Sequence, residues 1–278
     1  MEASDLTDGA VEQVATGFGF VEGPVWHPDG YMFFSDIPNN RIHKLTPDGQ
    51  VSVHREPSGN SNGLTFDAQA RLVACEHGNR RVSRSTADGG VEAIAETFEG
   101  KRLNSPNDVV VHSSGAIYFT DPPYGIKPEQ QEQPCAGVYR LDPAGALSLL
   151  VDDFQKPNGL GFSPDESVLY IDDSERQHVR AFDVQADGSL ANGRLFADLA
   201  DPGDGVPDGL KVDQEGNVLV TNSMGMWTYA ADGTFRGLIE VPEVPANCAW
   251  GDDGRTLYMT ARTSVYRVRV KTAGISVL

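Results

Sequence analysis

Cysteine is scarce, with three in 278 residues, at Cys75, Cys135 and Cys248. They are odd in number and far apart, which excludes a disulfide framework, and no CxxC pair offers a thiolate zinc site. Each reads as a buried, inert thiol. The six histidines (His27, His43, His54, His77, His112 and His178) include no HxH or HExxH spacing, which disfavours a histidine-built metal site. The string GNSNG (59–63) matches GxSxG but leads into the strand-like run NGLTF rather than a helix, and no Ser-His-Asp set can be assigned, so a covalent acyl-enzyme is not expected. No apolar run approaches the roughly 20 residues of a membrane span. Positive charge is also short: 22 Lys and Arg stand against 40 Asp and Glu, a formal −18. Such a balance repels nucleic acid and anionic membranes, and neither is an expected partner. The opening MEASDLTDGAVEQ lacks the basic-then-apolar layout of a secretory signal, so a cytoplasmic location is the expectation.

Glycine (30) and proline (17) are spread along the chain, which suggests many turns and few long helices. They punctuate an internal repeat. Six copies begin with a polar residue and continue as strand, turn and strand: EGPVWHPDGYMFFSD from Glu22, NGLTFDAQARLVACE from Asn62, NDVVVHSSGAIYFTD from Asn107, NGLGFSPDESVLYIDD from Asn158, DGLKVDQEGNVLVTN from Asp208 and NCAWGDDGRTLYMTA from Asn247. The leading residues are 40, 45, 51, 50 and 39 positions apart. Most copies run on into a second pair of strands, such as RIHKLTPDGQVSVH. Four short strands per period of this length predict the blade of a β-propeller. The expectation is an all-β, six-bladed propeller, one domain over residues 1–278. The alternating segment VEQVATGF (11–18) belongs to no copy and is expected to close the last blade as its outermost strand.

In such a fold the start of each inner strand and the loop between the second and third strands share one face. Glu22, Asn62, Asn107, Asn158, Asp208 and Asn247 should therefore ring one mouth of the central channel. One reading is that they cap strand starts and bond one another. The other is that two converging carboxylates and four amides hold a hard divalent cation. Ca²⁺ suits loose all-oxygen ligation best, with Zn²⁺, Mn²⁺, Mg²⁺ and Fe²⁺ as alternatives.

The repeats, with VEGPVW, SPNDVVV, FTDPPYG, PNGLGFSPD and PDGLKVDQEGN in that order, resemble the gluconolactonase branch of the SMP-30/gluconolactonase/LRE-like family over essentially the whole chain. The resemblance implies a metal-dependent lactonase, opening a sugar (aldono-)lactone to its hydroxy acid. It implies metal ligation by Glu22, Asn158 and Asp208. Asn107 is implied as a ligand or substrate contact and Arg102 as a substrate contact, with Asn62 and Asn247 outside the ligand set. The metal would polarise the carbonyl, and Asp208 or a metal-held hydroxide would activate water. On the rim, Tyr124 in DPPYG is a candidate to present a hydroxyl to a polyol, against a reading as a packed turn. His77 is a candidate hydrogen-bond donor or proton shuttle, against a structural bond within its loop. Glu76, beside His77, is a candidate to face the mouth; Asp173 and Asn222 are weaker candidates from loop position alone, and Trp227 and Trp250 read as packing between blades. Competing expectations are an organophosphate or ester hydrolase on the same metal, and a non-catalytic binding propeller. A small-molecule lactone is the expected partner and a monomer the expected state.

Overall fold

The computed structural model describes residues 5–201 and 203–276. Six four-stranded antiparallel sheets follow one another along the chain. Their inner strands are Val21–His27, Ser61–Phe66, Val109–Val111, Pro157–Phe162, Leu210–Val212 and Pro245–Gly251. In blades one to five the chain meanders outward from the inner strand through three more. This is the six-bladed propeller that the repeat period predicts. Among the described residues there is no α-helix, and a 3-10 turn lies at Pro128–Gln130.

Blade six supplies three strands from the C-terminal part, and the N-terminal strand Glu12–Thr16 provides the fourth. It pairs antiparallel with Ser264–Arg269 in the register Glu12↔Arg267 to Thr16↔Ser264. The expected closure is thus observed, trimmed at both ends. It covers an edge that would otherwise present unpaired N–H and C=O groups.

The core is divided into six apolar clusters, each between neighbouring blades. Met32, Phe34 and Leu45 of blade one meet Tyr258 and Val265 of blade six. Val73 and Cys75 of blade two meet Phe119 and Tyr139 of blade three. Alternation along each strand sends side chains to the two adjoining blades in turn. Trp227 and Trp250 pack against two of these clusters, as expected.

Near the axis the blades touch through backbone. The Gly63 N–H donates to the Asn107 carbonyl (2.8 Å) and the Gly159 N–H to the Asp208 carbonyl (2.6 Å). A hydroxyl on the second strand of one blade holds the inner strand of the next: Ser35 Oγ donates to Asn62 O (2.7 Å) and Thr120 Oγ1 to Asn158 O (2.8 Å). A Cβ at Gly159 would stand 2.5 Å from the Asp208 carbonyl oxygen, so only glycine permits this approach.

Candidate metal centre and active site

At the leading residues the inner strands depart from regular pairing. Register shifts fall between Glu22 and Val25, Ser61 and Leu64, Pro157 and Leu160, and Pro245 and Asn247. In blades three and five the regular strand begins only after Asn107 and Asp208. Such bulges re-aim side chains, and here they turn the leading residues toward one another. Glu22, Asn62, Asn107, Asn158 and Asn247 are buried, and Asp208 is partly exposed.

Glu22, from the first blade, meets the last. Asn247 Nδ2 donates to Glu22 Oε2 (3.0 Å), which also accepts the Gly23 N–H. Glu22 and Asn158 are near enough to Asp208 to act on its titration, the Asn158 amide favouring the charged form. Asn158 Nδ2 donates to Ser174 Oγ (3.1 Å), and Ser174 Oγ donates to the Pro207 carbonyl (2.6 Å). With Nδ2 engaged, the Asn158 oxygen is the atom left for a cation. The three residues expected as ligands, Glu22, Asn158 and Asp208, are therefore gathered at one place.

Their electrostatics are unfavourable without a counter-ion. Burial raises the Glu22 carboxyl well above its usual range, and the charges of Asp208 and Asp108 raise it further. Asp208 is pushed up to about 7, by burial and then by Asp108. Two acids in contact cannot both ionise in a poorly solvated place, and a proton or a cation must intervene. Among the described residues no three His, Cys, Asp or Glu side chains form a metal-holding group by themselves. Any ion here would draw on amide oxygens beside the two carboxylates, and that donor set fits a hard, oxygen-seeking cation.

Asp108 and Asp172 were not anticipated. Asp108 directly follows Asn107, where four other copies carry glycine; its Oδ1 accepts the Val109 N–H (2.8 Å) and its Oδ2 lies 3.3 Å from Asn247 Nδ2. Asp172 is fully buried with neither carboxylate oxygen hydrogen-bonded. Its pKa is raised by burial, then by Asp208 and Asp108. It occupies the position held by a hydroxyl in Ser35, Thr120, Thr221 and Thr260. In that column the departure to a carboxyl is the signal that would have found it.

The rim candidates divide. Tyr124 is near enough to Ser174 and Asn158 for both to act on its phenol, whose pKa is raised by burial and then by the charge of Asp208. Its hydroxyl thus belongs to the centre. His77 leans on Asn62, Nε2 to Nδ2 3.3 Å, and burial lowers its pKa to about 4, so the ring is neutral. Arg102 is exposed; its Nη2 donates to the Asn79 carbonyl (2.9 Å), beside the loop that carries His77. Asn107 sits in the ring itself, its N–H bonded to the Thr120 carbonyl (2.8 Å).

Glu76 and the two weaker candidates, Asp173 and Asn222, are clasps at the ends of second strands. Asp173 accepts the N–H groups of Gln155 (2.8 Å), Lys156 (3.1 Å) and Arg176 (3.1 Å). Asn222 Nδ2 donates to the Leu199 carbonyl (2.9 Å). Glu76 is turned to Arg55 and to Arg81 Nε (2.7 Å). Asp121 does the same work where it bears on the site: it accepts the N–H groups of Asn104 and Ser105, each at 2.7 Å, and so fixes the segment leading to Asn107.

Fold and site together define a six-bladed propeller with an acid- and amide-lined centre at one mouth. The chain belongs to the SMP-30/gluconolactonase/LRE-like family, whose pattern matches residues 20–263. It is 35% identical to a gluconolactonase of Zymomonas mobilis, over 95% of this chain and 82% of that protein. It is 30% identical to a pentonolactonase of Haloferax volcanii, over 86% of this chain and 80% of that one. The solved structure of a gluconolactonase from Xanthomonas campestris superposes with a TM-score of 0.87 at 36% identity, covering 94% of this chain and 89% of that one.

Proposed function

We propose that this protein hydrolyses a sugar lactone of the aldonolactone class at a centre where Glu22, Asn158 and Asp208 hold one divalent cation, with Ca²⁺ favoured. The observation that carries the reading is the convergence of the Glu22 and Asp208 carboxyls, close enough for their charges to oppose each other, beside the oriented amide of Asn158. Similarity to proteins named gluconolactonase and pentonolactonase supports the substrate class.

When bound, the cation supplies electrostatic stabilisation of the charge that develops on the lactone carbonyl oxygen. Asp208, partly exposed at the mouth, would take the proton of the attacking water. Asn107 and the Tyr124 hydroxyl offer hydrogen bonds to substrate oxygens at the same mouth. His77, neutral and held by Asn62, adds a donor or acceptor further out, and Arg102 stands on the rim where a ring hydroxyl or an anionic substituent would pass. No serine nucleophile is required, because water attacks directly and the ring oxygen leaves as the hydroxyl of the product acid.

A pH-indicator screen tests this reading. Aldonolactones should be opened well above the spontaneous rate, ahead of aliphatic lactones and of paraoxon-like esters. Faster turnover of the phosphoester would place the activity elsewhere.

A further inference from the structure

Lys211 sits in the inner strand of blade five, between Leu210 and Val212. Those two neighbours enter the apolar cluster shared with Tyr170 and Val179 of blade four. Alternation turns Lys211 the other way. Its Nζ stands 3.5 Å from Asp108 Oδ2, 3.3 Å from Asn247 Oδ1 and 3.0 Å from the Leu210 carbonyl oxygen. Asp108 belongs to blade three and Asn247 to blade six, so the ammonium lies where blades from across the ring converge.

The amide of Asn247 joins this ammonium to the carboxylates. Its Oδ1 accepts from Lys211 and from the Cys248 N–H (2.9 Å), which fixes the orientation of the group. Its Nδ2 then faces Glu22 Oε2 (3.0 Å) and Asp108 Oδ2 (3.3 Å). A continuous polar chain thus runs from Lys211 through Asn247 to Glu22. Glu22, Asp108, Asp172 and Asp208 repel one another in this space. Among the described residues, Lys211 is the cation paired with this group.

We propose that Lys211 is a built-in counter-charge that sets how tightly the mouth holds its divalent cation. The proposal rests on the reading that Glu22, Asn158 and Asp208 bind such an ion. A fixed positive charge behind the ion repels it and limits its affinity, while partly cancelling Asp108. The bound ion is then less fully neutralised by its surroundings and remains a stronger attractor for a substrate oxygen. Lys211 acts through Asp108 and Asn247 and is a positioning and affinity-setting residue.

Calorimetric titration of Ca²⁺ into the full chain tests this, using the wild type, Lys211→Met, Asp108→Asn and the double variant. Lys211→Met should bind Ca²⁺ about tenfold more tightly or better, because a like charge is removed from a poorly solvated site. Asp108→Asn should bind more weakly. The double variant restores the formal charge and should return to within about threefold of the wild type. Equal or weaker binding by Lys211→Met, or no restoration in the double variant, would overturn the counter-charge role. A wild type that binds none of Ca²⁺, Mg²⁺, Mn²⁺ or Zn²⁺ would instead remove the metal reading, which is a separate outcome. Folding of Lys211→Met only with Ca²⁺ present would support the proposal, since an uncompensated cluster needs the ion. Misfolding both with and without Ca²⁺ would show that Lys211 serves packing.

Discussion

Asp208 is the residue on which the proposed chemistry turns. Its carboxyl is raised to about 7 by burial and by Asp108, and Glu22 and Asn158 both act on it. Asp208→Asn keeps the size and one oxygen but cannot take a proton. Hydrolysis should fall by at least about 10²-fold, the usual scale for losing a positioned base. Initial rates measured alongside calorimetric ion binding check this; near-normal turnover with the ion still bound would exclude Asp208 as the base. The convergence of Glu22, Asn158 and Asp208 on one mouth was legible because each opens a repeat; the choice of these three among six leading residues came from the family resemblance and stands as a proposal. Asp108 and Asp172 escaped because they stand off that column, one position after a leading residue and at a hydroxyl position. Asp173 misled for the opposite reason. A carboxylate at a loop mouth satisfies backbone N–H groups as readily as it binds ligands, and its hydrogen bonds with Gln155 and Lys156 are long-range contacts invisible along the chain.

At the scale of elements, the Asn158-Gly159 pair is not a hairpin turn. It lies inside the strand Pro157–Phe162, and the turn of that blade closes at Glu166, whose N–H donates to the Ser163 carbonyl (2.8 Å). Gly159 is present because the neighbouring blade's backbone passes against it. Gly159→Ala would place a Cβ 2.5 Å from the Asp208 carbonyl oxygen and 2.6 Å from Asp172 Oδ2. The expected cost is about 1–3 kcal/mol of stability, the usual range for overpacking, seen as a lowered Tm in calorimetry. Ion affinity should fall with it, since the displaced carbonyl belongs to Asp208. The closing strand offers a second expectation. Deleting residues 1–16 would expose the edge of Ser264–Arg269 and should lower Tm and promote association, read by light scattering. The pairing was legible from the leftover alternating segment, while its bounds were not, because the bulge between Gln13 and Ala15 shifts the register.

Over the whole molecule, the acidic balance and the buried carboxyls tie stability to pH. In the ion-free protein Asp208 keeps its proton up to about pH 7, whereas an unfolded aspartate releases it near about 4. The native state therefore binds more protons than the unfolded state across that window. Stability contributed by this group is present at low pH and lost as pH rises toward 7. Glu22 and Asp172 shift in the same direction. A bound divalent cation replaces the proton, so the Tm rise that Ca²⁺ produces should grow from about pH 5 to about pH 8. Thermal scans with chelator and with Ca²⁺ give that difference directly; a rise independent of pH would mean that the ion binds away from these acids.

The propeller architecture was legible from period alone, because a four-stranded unit cannot bury its faces without neighbours and the six copies leave one closed solution. What remained hidden was how the ring manages its charge, since Lys211, Asp108 and Asn247 meet across blades far apart in sequence. The central claim is that lactone opening depends on a cation held by Glu22, Asn158 and Asp208. Its most direct test is the rate of D-glucono-1,5-lactone hydrolysis after exhaustive chelation, followed by titration of Ca²⁺ back into the protein. The account predicts loss of activity on chelation and recovery that saturates at one ion per chain. Full activity in the thoroughly chelated protein would contradict it.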